Sequence, residues 1–150
     1  MKELELIFKN IKNKEFLPIY FFHGEEAYYI DIAVKALEND VLTEDEKAFN
    51  QTVVYGKDTN YNEILSLAKQ YPMMGDKQLI IVKEAQDLKF NDEETKILEK
   101  YVENPVESTI LVFASASSCT LAKYFLNSSK PCSIFSACIC CSGIFINSRA

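Results

Sequence analysis

Four short apolar runs are set apart along the chain: Ile19-Tyr20-Phe21-Phe22, the stretch from Phe49 to Tyr55, Leu79-Ile80-Ile81-Val82 and Thr109-Ile110-Leu111-Val112-Phe113. Each is too short for an amphipathic helix and rich in β-branched or aromatic residues, so each reads as a strand. Leu79 to Val82 shows no polar alternation, the pattern of a strand buried on both faces. Helical spacing fills the gaps. Leu4, Ile7, Phe8 and Ile11 place an amphipathic helix over residues 2–13, and Ile30, Ala33, Val34 and Leu37 place another from Glu26 to Leu42. Asn60 and Glu63 resemble a capping box opening a third helix, which continues through Ile64, Leu65, Leu67 and Ala68 until Pro72. Asn91 opens a fourth, with Ile97, Leu98, Tyr101 and Val102 inward and Pro105 at its close. Alternation of this kind favours an α/β fold: a parallel sheet with helices on both faces.

In such sheets ligands gather at the carboxyl ends of the strands, and there the sequence lacks nucleotide chemistry. A P-loop needs glycines that let backbone amides converge and a lysine to meet the phosphates. After the first strand the chain reads His23-Gly24-Glu25-Glu26, one glycine followed by two carboxylates, and the next glycine is Gly56. An ATPase would also want an acidic pair after the third strand to hold magnesium; here Lys83 comes first and Glu84 reads as a surface charge. His23 is the single histidine. Its plainer reading is a strand-end residue bonded to nearby backbone; the functional alternative is a small α/β nucleotide-dependent enzyme with His23, Glu25 and Glu26 lining a site.

Composition changes abruptly along the chain. All 22 acidic residues precede Ser115; beyond it the charged residues are Lys123, Lys130 and Arg149, and all five cysteines lie there. Cys119, Cys132, Cys138, Cys140 and Cys141 could be imagined as a thiolate metal cluster, but paired C-x-x-C spacing is absent. The expectation is therefore no metal site. A formal net charge of -6 argues against a broad nucleic-acid footprint. No run of about 18 apolar residues offers a membrane span, and the charged start Met1-Lys2-Glu3-Leu4-Glu5 is unlike a signal peptide. A cytoplasmic location without a membrane partner is expected.

One stretch resists the usual reading. Tyr71-Pro72-Met73-Met74-Gly75-Asp76-Lys77-Gln78 has the punctuation of a turn, yet holds two of the three methionines side by side. Turns lie at the surface, where large apolar side chains are costly without a partner. Methionine is unbranched and adaptable, suited to filling another protein's pocket. The alternative is that one or both tuck under the sheet.

Several segments together resemble the delta subunit of the bacterial DNA polymerase III clamp loader: Pro18 to Glu26 with Tyr29-Ile30 and Ala33, then Tyr71 to Leu79, Val82-Lys83-Glu84-Ala85, and Ser108 to Phe113. The similarity covers roughly residues 1–114. It implies an AAA+-type layout, without a functional P-loop, in a domain that has lost ATPase activity, needs no cofactor and has no catalytic residues. As a subunit of DNA polymerase III, the chain would belong to a nucleotidyltransferase complex. The resemblance also implies a role in DNA replication: binding the ring-shaped beta sliding clamp and helping to open it around primed DNA. The family's clamp-binding element is a helix tipped by two adjacent large apolar residues; by motif position these are Met73 and Met74, with Tyr71, Pro72 and Gly75 in support. Other clamp-loader subunits, and DNA through the complex, are the further partners implied.

Beyond Ala114 the sequence departs from the family's pattern, which continues with a lysine-rich stretch, a second small domain and a helical collar. The expectation is that residues 1–114 form an incomplete clamp-binding domain. Residues 115–150 are expected to be a divergent Cys/Ser-rich tail, from a shifted or prematurely ended reading frame, and no separate domain.

Overall fold

The computed structural model describes residues 2–24, 26–89, 91–116 and 137–140. The elements follow in the order α1 (Lys2–Lys12), β1 (Ile19–His23), α2 (Ala27–Asp40), α3 (Glu44–Asn50), β2 (Gln51–Tyr55) and α4 (Tyr61–Ala68). Then come β3 (Gln78–Lys83), a 3-10 turn (Ala85–Asp87), α5 (Asp92–Glu103), β4 (Thr109–Ser115) and β5 (Ala137–Cys140). The strands form one sheet in the order β2-β3-β4-β1-β5, and every pairing is parallel.

Strand periodicity explains the layers. Successive residues of a strand point to opposite faces, and the apolar runs are split accordingly. Ile19, Phe21, Ile80, Val82, Leu111 and Phe113 join α4 and α5 in one core. Tyr20, Phe22, Leu79, Ile81, Ile110 and Val112 join α1 and α2 in the other. Both faces are thus covered, as the unbroken apolar strands require.

Three boundaries differ from expectation. Phe49 and Asn50 belong to α3 and not to a strand. The reason is a capping box: Glu46 donates its backbone N–H to Thr43 Oγ1 at 3.4 Å, and Thr43 donates its own to Glu46 Oε2 at 2.9 Å. With Glu44, Asp45 and Glu46 in the first turn, the positive end of the helix is also matched by negative charge. The third helix ends at Ala68, before Pro72 is reached. Its last carbonyls are taken from outside: Gln78 Nε2 donates to Leu67 O at 3.2 Å, and Thr109 Oγ1 donates to Ala68 O at 2.7 Å. These satisfy groups a helix end leaves without partners. Finally, the compositionally distinct tail supplies a strand, since β5 pairs with β1 in register Tyr20 to Ala137.

Candidate functional site

The octet singled out by its methionines spans the connection from α4 to the start of β3, at the amino end of the sheet. Tyr71 is 85% exposed, Met73 79% and Met74 43%, while Pro72 is half-buried. Tucking beneath the sheet is excluded for both methionines. They ride on a loop and not on the helix tip that the resemblance implied.

The loop is nevertheless pinned, by a residue the sequence reading assigned to a strand. Asn50 is 4% exposed, and its carboxamide serves the loop backbone in both directions. Its Oδ1 accepts from Met73 N–H at 3.0 Å and Met74 N–H at 3.3 Å. Its Nδ2 donates to Lys77 O at 3.2 Å and closes on the Met74 carbonyl. The backbone of the methionine pair is therefore satisfied inward while its side chains point to solvent. Gly75 follows with φ at +67°, a left-handed conformation that side chains resist. A Cβ there would also strike the Glu46 carboxylate. Thr43 hydrogen bonds hold that carboxyl below its usual range. Beyond the turn, Lys77 Nζ donates to Glu107 O at 2.6 Å, and Gln78 hands the chain into β3 while sealing α4.

No periodicity rule could have found Asn50, because a buried polar residue at a helix–strand junction reads as a lapse in the pattern. The Thr43–Glu46 signature was visible in the sequence and marked the helix that carries it.

The opposite end of the sheet is built differently. His23 is 6% exposed, and its Nε2 has no hydrogen-bond partner among the described residues. Its ring lies 5.3 Å from Phe21, and burial holds its pKa below the ordinary value. The neighbouring Gly24 N–H donates to Ser115 O at 3.2 Å, closing the strand ends together. Glu26 is exposed at the cap position of α2 and makes no capping bond; Glu25 lies outside the described residues. Lys83 is tied to Glu38 of α2 at 3.5 Å, and Glu84 is exposed with φ at 53°. A carboxylate at the start of α2 opposes the anion binding that a helix N-terminus otherwise favours. No cluster of metal-ligating side chains occurs among the described residues; Cys119, Cys132 and Cys141 lie outside them. Nor does any helix among the described residues have the length and apolarity to cross a membrane.

The family model described as "DNA polymerase III, delta subunit" matches residues 20–132. The chain belongs to that family. The DNA polymerase III subunit delta of Bacillus subtilis (strain 168) is 28% identical over 112 residues. That alignment takes in 71% of this chain and 32% of the relative, so the chain spans about a third of that relative's length.

The fold has the same relatives. A Bacillus subtilis DNA clamp loader delta protein superposes with a TM-score of 0.69 at 22% identity, covering 85% of this chain and 38% of that one. A Thermotoga maritima DNA polymerase III gamma subunit-related protein gives 0.55 at 18% identity, over 75% of this chain and 39% of that one. The Thermotoga maritima RuvB Holliday junction branch migration motor gives 0.52 at 16% identity, over 93% and 43%. The fold is of the AAA+ type. The family match continues past Ala114 to residue 132, so the change of composition at Ser115 falls inside it.

Proposed function

We propose that this delta-family domain docks on the beta sliding clamp through Met73 and Met74 and helps to open the ring for loading onto primed DNA. The observation that supports this reading is the presentation of the pair: two adjacent apolar side chains exposed on a loop whose backbone Asn50 fixes. Fully burying two such side chains is worth roughly 3–6 kcal/mol gross, from which association costs are subtracted. That is enough to anchor a contact and too little to be the whole of it. Tyr71, Pro72 and Gly75 support the pair, Gly75 by making the turn and Tyr71 by extending the exposed surface.

The domain itself catalyses nothing in this reading. The carboxyl ends of β1 and β3 offer a buried imidazole, an acidic helix start and a lysine already paired with Glu38, and these make no cradle for a triphosphate. DNA is reached through the assembled loader and its other subunits, in the cytoplasm. Residues 1–114 carry the clamp contact; resequencing the coding DNA around codon 115 and translating every frame tests the reading-frame origin of the tail.

The deciding experiment pairs Met73→Ala with Met74→Ala and measures binding to the sliding clamp of the same organism. Clamp binding is expected to be abolished with the circular dichroism spectrum unchanged. Undiminished affinity in the double variant overturns the proposal.

A further inference from the structure

Exposed apolar side chains are not confined to the methionine loop. Val53 and Tyr55, 38% and 44% exposed, lie on β2, the last described strand on that side of the sheet. β2 pairs with β3, and among the described residues no strand pairs with its outer edge. An open edge is a row of unpaired backbone donors and acceptors, which proteins usually defend with charge, proline, a bulge or a covering segment. Gln51-Thr52-Val53-Val54-Tyr55 has no charge and no proline, and its residues favour extended backbone.

Beside this edge runs a groove of about 650 Å3. Val53, Val54 and Tyr55 form one wall, and the flank of α4, through Glu63 and Leu67, contributes to the other. The three strand residues span about 10 Å, the length of three residues of an added strand. Charge narrows the occupant. The ionisable side chains lining the groove are Asp58 and Glu63 with the Tyr55 phenol, and both carboxylates follow the carboxyl end of β2 in the chain. Asn62, also in the wall, is hydrogen-bonded to a further carboxylate, Glu94, at 3.3 Å.

We propose that β2 accepts an additional strand from a partner protein: an extended, apolar segment that carries Lys or Arg beside the carboxyl end of β2. Backbone hydrogen bonds along the edge supply the affinity, and Asp58 and Glu63 select the charge, as in other strand-addition complexes. A second copy of this chain is the poorer occupant. Parallel self-pairing sets Asp58 and Glu63 against their own copies, and any dimer joins two chains of net charge -6. The proposal does not depend on the clamp reading, since Met73 and Met74 are no part of the groove.

The test uses the full chain, labelled with 15N, and a capped peptide probe, Lys-Val-Thr-Val-Thr-Val-Lys. Lysines at both ends serve either strand direction. The probe is expected to slow amide exchange within β2 and to shift Val53 to Tyr55 resonances. A twin with Glu at both ends should bind about tenfold more weakly, the change that about 1.4 kcal/mol of charge selection produces. Twins N-methylated at odd or at even positions keep every side chain, and one of them should lose binding entirely. Equal binding of the Lys and Glu probes, or full binding by both methylated twins, overturns the proposal. So does a probe that leaves β2 exchange unchanged. Concentration-dependent dimers in sedimentation, with β2 protected and no probe present, would overturn it in favour of the second copy.

Discussion

At the amino end of β3, the loop from Tyr71 to Lys77 turns its backbone inward onto Asn50 and its methionines outward. At the carboxyl end of β1 the opposite is true: among the described residues His23 is drawn inward with Nε2 unpartnered, Glu26 and Glu84 are exposed, and Lys83 is paired with Glu38. At the first end polar atoms serve the scaffold and apolar side chains are left exposed. The difference teaches how one sheet can present apolar side chains at one end and withdraw a polar one at the other. In the proposed reading the contact lies at the amino end, where two exposed methionines are held in water by hydrogen bonds behind them.

Gly56→Ala should give the largest effect on stability, and it probes the carboxyl end. The Gly56 N–H donates to Lys83 O at 2.8 Å, and a Cβ would collide with the Glu84 carbonyl. Backbone cannot step aside as a side chain can, so a loss of about 3 kcal/mol is expected in urea unfolding. Clamp binding by the fraction that remains folded should be unchanged. If that variant lost clamp binding in proportion to the methionine variants, the two ends would not be separable.

Asn50→Ala should reverse that pattern. It removes all of the side-chain hydrogen bonds to Met73, Met74 and Lys77 backbone, and stability should fall by about 2 kcal/mol. Clamp affinity should fall further than that loss of folding explains, because the pair is no longer presented in one geometry. Hydrogen exchange at the Met73 and Met74 amides should accelerate. Gly75→Ala, which strains the left-handed turn and meets Glu46, should cost about 1 kcal/mol by the same assay and weaken clamp binding less.

These two classes of residue were unequally legible in the sequence. The sheet, its parallel sense and its two covering layers follow from the apolar runs and their helical spacers, because period and length carry that information. The turn around the methionines was legible as well, from the punctuation by Pro72 and Gly75, but whether their side chains face solvent or tuck under the sheet was not. Asn50 was not. Its importance lies in bonds to residues more than twenty positions away, and a local pattern holds no trace of such a partner. The same limit explains the end of α4, where Gln78 and Thr109 take the Leu67 and Ala68 carbonyls across space, four residues before Pro72. β5 was missed because the four residues Ala137-Cys138-Ile139-Cys140 are too few to show a period.

The last and smallest test sharpens the comparison by pH. Burial depresses the His23 pKa below its ordinary 6.5, so the folded state prefers the neutral ring. The unfolded chain binds that proton first; the stability contributed is therefore full above about 6.5 and is lost as pH falls below it. Glu46, beneath the Gly75 turn, is depressed from 4.5 by its bonds to Thr43. Its contribution is present above that value and is lost as pH falls through the lower, folded one. Each end of the sheet thus has its own acid window. His23→Phe should flatten the fall in urea midpoint between about pH 7 and pH 5.5 and leave the steeper acid limb intact. Glu46→Gln should leave the upper window unchanged and soften only the lower one. Were both variants to alter the same window, the two ends would be coupled through the sheet, and the division of labour between them would fail.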